Sequence, residues 1–216
     1  MSYDPINWTE ALDENDNPET PVSAENLGKM DEAIYDLGKG GLPEGFDYEP
    51  SPNIKTSFNS PGSTPRGLTW DGTYLWNVDS DDETVYQLDT SGNVQSSFSS
   101  PGSFPRGLTW DGTYLWNVDS SDDTIYQLDT SGNVQKSFAS PGSFPRGLTW
   151  DGTYLWNVDS NDKTVYYLDT LGNVQKGFPS PGSFPRGLTW DGTYLWNVDS
   201  NDETVYQFYN YLKPYL

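Results

Sequence analysis

Two side chains are missing from this sequence altogether: among its 216 residues there is no cysteine and no histidine. The first absence excludes disulfide bridges and cysteine-ligated zinc, and the second excludes Ser-His and Cys-His catalysis. Neither identifies a redox compartment. Long apolar runs are also missing, with nothing near the ~20 residues that a helix needs to cross a bilayer. The opening residues Met1-Ser2-Tyr3-Asp4-Pro5 carry neither a basic nor an apolar stretch. No signal peptide is therefore expected, and synthesis is expected in a cytoplasm.

Basic residues are scarce. Eleven Lys and Arg stand against thirty-two Asp and Glu, for a net charge of -21 and a pI near 4.1. A field of that sign repels nucleic acid and anionic bilayers, so neither nucleic-acid binding nor membrane insertion is expected. Such acidity fits a halophilic protein working in concentrated salt, where the Debye length shrinks to about 3 Å at 1 M. An ordinary acidic surface that aids solubility is the other reading.

Against these absences stands a surplus of aromatic residues, 15% of the chain, with eight of the nine Trp in one repeated unit. The stretch Gly67-Leu68-Thr69-Trp70-Asp71-Gly72-Thr73-Tyr74-Leu75-Trp76-Asn77-Val78-Asp79-Ser80 returns unchanged from residues 107, 147 and 187, a period of 40 residues. A looser segment follows each copy, as in Thr84-Val85-Tyr86-Gln87-Leu88-Asp89. Repeats of this length, rich in strand formers and turn residues, are the mark of propeller blades. The fold class expected is mainly β: a four-bladed β-propeller of four-stranded, 40-residue repeats, with a short N-terminal α-helix.

Within a repeat the strands are expected near residues 67–70, 73–78, 84–88 and 94–98. Asp71-Gly72 is expected as a two-residue type I′ hairpin turn. Alternation places Tyr74, Trp76 and Val78 on one face, with Leu75 and Asn77 on the other. Both faces are apolar, as sandwiched blades require. The fourth strand occurs first as Asn53-Ile54-Lys55-Thr56-Ser57-Phe58, ahead of the first blade, and the pattern is lost after Phe208. That N-terminal strand is therefore expected to complete the last blade and close a four-bladed ring. A second route pools the repeats of two chains into one eight-bladed ring.

The blades resemble YVTN- and NHL-type propeller repeats, most clearly in Leu75-Trp76-Asn77-Val78-Asp79-Ser80 followed by Thr84-Val85-Tyr86-Gln87-Leu88-Asp89. Those families close more often with six or seven blades. Ahead of the propeller (residues 53–216) lie an attachment segment (residues 1–38) and a Gly- and Pro-rich linker (residues 39–52). Ser23 can cap a helix through Leu37, with Gly38 as its C′ residue. Leu27, Met30, Ile34 and Leu37 form an a/d seam, which a helix this short must pack against something. A plain amphipathic helix packed on its own domain satisfies the same pattern. Trp8, then Thr20-Pro21-Val22-Ser23-Ala24-Glu25-Asn26-Leu27, with Met30, Ala33 and Ile34, resembles the N-terminal segment of tailed-virus fibres and spikes. The resemblance implies a virion appendage, often trimeric, made in the host cytoplasm. This end, through Trp8, Leu27, Met30, Ile34 and Leu37, would join other virion structural proteins.

In a propeller the loops before the first strand and after the second emerge on one face. That places Arg66, Arg106, Arg146 and Arg186 opposite Asp79, Asp119, Asp159 and Asp199, with Phe104, Phe144 and Phe184 beside three of the arginines. These residues are the candidate receptor-binding set, suited to a host surface glycan or surface-layer protein. The competing reading is structural, with Arg paired to Asp and Phe plugging the ring. Acidic turns such as Asp79-Ser80-Asp81-Asp82-Glu83 lack EF-hand spacing, and a solvated turn is expected in place of a Ca²⁺ site. No catalytic residue, metal or cofactor is expected, because every Asp motif is copied with the blades. A propeller outside a virus, binding protein or carbohydrate, is the alternative function.

Overall fold

The computed structural model describes residues 55–208, which lie in the second of two units, Lys55–Leu216. The expected N-terminal helix, with Trp8, Leu27, Met30, Ile34 and Leu37, lies outside the described residues, as does the linker.

Among the described residues fifteen strands form four antiparallel sheets. The first sheet holds β1 (Pro65–Trp70), β2 (Leu75–Asp79), β3 (Thr84–Leu88) and β4 (Val94–Ser99) in sequential order. The second repeats it with β5 (Pro105–Trp110), β6 (Leu115–Asp119), β7 (Thr124–Leu128) and β8 (Val134–Ala139). The third uses β9 (Pro145–Trp150), β10 (Leu155–Asp159), β11 (Thr164–Leu168) and β12 (Val174–Pro179). The fourth has three strands, β13 (Pro185–Trp190), β14 (Leu195–Asp199) and β15 (Thr204–Phe208). Each is a meander, and the four are the blades of a β-propeller.

Side-chain alternation turns these sheets into a stack. Trp76, Val78 and Val85 of the first blade meet Leu108, Leu115 and Leu128 of the second, with Phe98 and Trp110 closing the edge. The next junction repeats the arrangement with Trp116, Val118 and Ile125 against Leu148, Leu155 and Leu168. The third joins Trp156, Val158 and Val165 to Leu195, Leu188 and Trp190. Each fully buried side chain of this size contributes about 1.5–3 kcal/mol by leaving water. The innermost strands approach closely, β1 on β5, β5 on β9 and β9 on β13. Glycine permits this: a Cβ on Gly107 would meet Leu148 N at 2.6 Å and Arg146 O at 2.7 Å.

Three expectations need correction. The β1–β2 turn is not a type I′ Asp-Gly turn, which requires positive φ at both central residues. The Asp71 N–H donates to Tyr74 O at 3.1 Å, so Gly72 and Thr73 are the central pair, and of these Gly72 alone is left-handed at φ 100°. Asp71 is held outside the turn because Oδ1 accepts the N–H groups of Thr73 and Tyr74, while Oδ2 accepts the Trp76 indole N–H at 2.7 Å. Strand two accordingly begins at Leu75, and strand one begins early, at Pro65.

The third correction concerns closure. Lys55–Phe58 forms no strand and does not pair with β15 among the described residues. Phe58 instead lies against Gly92 of the first blade, as Phe98 lies against Gly132 and Phe138 against Gly172. It holds the place of an outer-strand residue belonging to a blade that would precede the first.

Candidate functional site

The arginines owe their position to a bulge. In the first blade Pro65 pairs with Asp79 and Gly67 with Val78, which leaves Arg66 as the extra residue. Arg186 is the extra residue between Pro185 and Gly187 in the fourth, and the register shifts over the same stretch in the second and third. A bulge re-aims one side chain without breaking the sheet. Repeated in every blade, it gathers Arg66, Arg106, Arg146 and Arg186, which are all the arginines of the chain.

A serine then holds every guanidinium, and an aromatic ring supports three of the four. Each Nε donates to a serine hydroxyl on the loop after the second strand: Ser80 at 3.1 Å, Ser120 at 3.1 Å, Ser160 at 3.2 Å and Ser200 at 3.0 Å. Three also lie over the ring two residues earlier: Arg106 on Phe104 at 4.1 Å, Arg146 on Phe144 at 4.2 Å and Arg186 on Phe184 at 4.3 Å. Such stacking is worth about 0.5–2 kcal/mol, more where water is excluded. Arg66 has Thr64 there, and no ring.

The electrostatics are unusual for so acidic a chain. Burial, and then the charges of Arg146, Arg66 and Arg186, push Arg106 down to about 10. Burial followed by Arg186 and Arg66 does the same to Arg146, also to about 10. Arg186 is lowered by burial and by Arg66. The arginines thus act on one another more than the nearby Asp119 and Asp159 act on them. Arg106 and Arg146 remain cationic at neutral pH, because a value near 10 still leaves the proton on.

The aspartates are engaged by the backbone. Asp79, Asp119, Asp159 and Asp199 are buried. Asp79 Oδ2 accepts the N–H of Thr64 at 2.6 Å, while Oδ1 accepts those of Asp81 and Asp82. Asp119, Asp159 and Asp199 serve the N–H groups of Phe104, Phe144 and Phe184 in the same way. They brace two loops together, a structural role beside the candidate receptor set in which the sequence placed them. The competing Arg–Asp reading is met only by charge at a distance: Asp119 acts on Arg106 and Asp159 on Arg146, each more weakly than the other arginines do. No three carboxylates converge as cation ligands among the described residues.

Between the third and fourth blades an open groove of about 370 Å³ is lined by Ser143, Phe144, Ser160, Asn161 and Phe184. Arg146 stands between its two rings, 4.2 Å from Phe144 and 6.0 Å from Phe184. Aromatic walls and small hydroxyl and amide groups converge there, with the Arg146 guanidinium stacked on one of those walls.

Sequence reasoning missed the serines that orient the arginines. It also missed Asn77, whose Nδ2 donates to Gly67 O at 3.0 Å while its Oδ1 accepts from the Ser60 hydroxyl at 3.1 Å. Spacing offers one signal for the serines: each lies fourteen positions after its arginine, across a hairpin.

No protein-family model and no curated protein matches this chain. Among solved structures it is similar to a virginiamycin B lyase from Staphylococcus aureus with quinupristin, at 19% identity and a TM-score of 0.50, covering 73% of this chain and 59% of that one. Similarity to the glutaminyl cyclase of Myxococcus xanthus reaches a TM-score of 0.60 at 13% identity, covering 69% of this chain and 67% of that one. The computationally designed Ika4 protein matches at a TM-score of 0.54 and 17% identity, over 70% of this chain and 95% of that one. The chain thus spans less than two thirds of the length of the lyase. Identities this low concern the fold alone, a propeller of repeated blades.

Proposed function

We propose that this chain is a virion appendage whose propeller head holds an acidic glycan of the host surface at the arginine arc. One observation carries the reading. All four arginines of a chain with net charge -21 occupy one bulge position, each oriented by a serine and three of them stacked on phenylalanine, with the neighbouring carboxylates turned into backbone contacts. Clustered guanidiniums are electrostatically costly in the empty protein, and a bound carboxylate or sulfate offsets that cost. Guanidinium is also the side chain best shaped to grip such groups in a two-pronged way. Phe144 and Phe184 supply flat apolar walls for a sugar ring, and Ser160 and Asn161 supply hydroxyl and amide partners.

The particle context rests on the N-terminal segment and its resemblance to fibre and spike proteins. Repetition favours attachment over catalysis, because a surface that presents one weak contact several times gains through effective concentration. The alternative, a propeller outside a virus, would use the same face on a different ligand.

The test is binding of the full chain to arrays of uronic-acid, sialylated and sulfated glycans beside neutral ones. We expect acidic glycans to be retained and Arg146→Ala to weaken retention about 10–100-fold, the range for a hydrogen bond to a charged group. Equal retention of neutral glycans, or an Arg146→Ala variant that binds like the parent, overturns the assignment.

A further inference from the structure

The four described blades form an open arc. Its three internal junctions are chemically alike, and each end of the arc presents one half of that same junction uncovered. On the first blade Leu68 is 62% exposed and Trp70 47%, whereas Leu108 and Leu148, the counterparts of Leu68 inside, are 4% and 3% exposed, and Trp110 and Trp150 are packed against the junctions. At the other end Val205 is 63% exposed and Val198 41%, while Val85, Val165, Val78 and Val158 are all at 0%. Glycine contacts tell the same story. The missing Cβ of Gly67, Gly107 and Gly147 faces backbone atoms of the next blade, but that of Gly187 faces only Val198 in its own blade, at 3.1 Å.

The geometry points to a second copy of this chain as the occupant: two four-bladed arcs joined head to tail, through two identical junctions, into one eight-bladed ring. Three observations converge on it. First, the two open faces are those that already pack together three times within the chain, so a second copy brings the matching surface at both ends. A head-to-tail contact of this kind either closes into a ring or runs on as a filament. Two copies are the fewest that give every blade two neighbours when the described four do not meet.

Second, the fourth blade has three strands among the described residues, while Phe58 occupies an outer-strand position with no inner strands beside it. Third, the register supplies the pairing. Val85 opposes Phe98 in the first blade, Ile125 opposes Phe138 in the second and Val165 opposes Phe178 in the third. By the same offset Phe58 of one copy opposes Val205 of the other, and Tyr206 opposes Ser57. Residues 55–58 thereby become the fourth strand of the partner's last blade, and Phe58 takes beside Trp196 the place that Phe98 holds 6.1 Å from Trp76. The expected clasp then exists between chains and not within one. This assembly is independent of the glycan reading and of any association through the N-terminal segment.

The absence of cysteine makes the test direct. Directly opposed strand residues have Cα atoms about 4.5–5.5 Å apart, within the span of a disulfide. Full-length Phe58→Cys and Val205→Cys chains, one carrying a tag, are mixed, oxidised and run without reductant. A disulfide joining the two different chains, in excess over either homodimer, is expected. The Phe58→Cys/Val205→Cys double variant should likewise run as a covalent dimer. Cross-linking confined to a single chain would mean a ring closed within one copy and would overturn the proposal, as would no cross-link at all. Gly187→Ala gives a second measurement. Inside one arc its methyl group would meet only the Val198 side chain, at 3.1 Å, which needs to give by a few tenths of an ångström, but it would strike the partner's innermost strand, as a Cβ on Gly147 would strike Leu188 N at 2.6 Å. We expect this variant to keep the parent's circular dichroism spectrum and to lose the mixed disulfide at least tenfold. A Gly187→Ala chain that cross-links like the parent overturns the junction geometry.

Discussion

Replacing Gly107 by alanine puts a methyl group between two backbones. Its Cβ would stand 2.6 Å from Leu148 N, 2.7 Å from Arg146 O and 2.9 Å from Leu148 Cβ, where ordinary contact begins at 3.4 Å. The obstacles are mostly main-chain atoms held in the β9–β10 ladder, so no flexible side chain can swing aside. Relief requires the third blade to retreat by most of an ångström, which also loosens the Trp116–Leu148–Leu155 packing below it. Overpacking of this kind costs about 1–3 kcal/mol, and a rigid backbone obstacle belongs at the upper end. A gap of 0.5–1 Å forfeits a quarter to a half of each dispersion contact it opens. About 3 kcal/mol corresponds to a fall of about 6–12 °C in Tm for a unit of this size. The comparison is Gly72→Ala, whose Cβ meets nothing within 4 Å but sits at φ 100°. That variant carries conformational strain alone, about 1–2 kcal/mol. Thermal melts and urea titrations with matched m-values separate the pair. A Gly107→Ala protein melting within a degree of the parent, or above Gly72→Ala, would refute close backbone approach as the reason for glycine.

Asp123 stands at φ 51° with one carboxylate oxygen buried and unpartnered, and burial, then Asp159, Asp122 and Asp119, raise its pKa. Asp123→Gly should therefore stabilise by about 1 kcal/mol in urea unfolding, and a lower midpoint contradicts this. Asp89, Asp129 and Asp169 are held below the usual 3.8 by hydrogen bonds from the Asn93, Asn133 and Asn173 side chains and backbone N–H groups. The Tm gap between parent and the Asp89→Asn/Asp129→Asn/Asp169→Asn variant should be full above pH 5 and shrink as pH falls below 3.8; a gap that widens in acid has the wrong sign. Because the arginines repel one another, Arg146→Gln should leave Tm unchanged or higher while reducing glycan retention, and a clear loss of stability would return Arg146 to a structural role. Deleting residues 1–38 should leave a folded propeller that fails to join virus particles, and normal incorporation would remove the appendage reading. Self-repulsion at net charge -21 predicts a Tm that climbs from dilute buffer to molar salt, and a flat response would leave solubility as the reason for the acidity.

Much of the fold can be read from the repeat. The period, the strand at Thr84–Leu88 and the opposite facing of Leu75 and Trp76 all follow from alternation and turn residues, because local rules govern them. The site was half legible. Arg66 and its copies stand out as the chain's only arginines, but the bulge that aims them depends on pairing across the hairpin, which no local pattern reveals. Asp79 looked like a binding group because exact repetition marks structural and functional residues equally. Its two oxygens prove to be filled by N–H groups from separate loops. Ring closure was not legible, since the number of repeats does not fix the angle between blades. That angle is set by how Leu108 and Trp110 seat on Trp76 and Val78.

The likeness of the three internal junctions has a consequence for how such a gene can change. Unequal recombination between repeats removes or adds 40 residues at a time, and every product still begins with a leucine face and ends with a valine face. A two-blade descendant would need no new contact surface, only four copies in place of two to complete a ring of eight. Blade number and copy number can then trade against each other in steps that keep their product at eight, so the coding sequence can halve or double while the diameter of the ring is conserved.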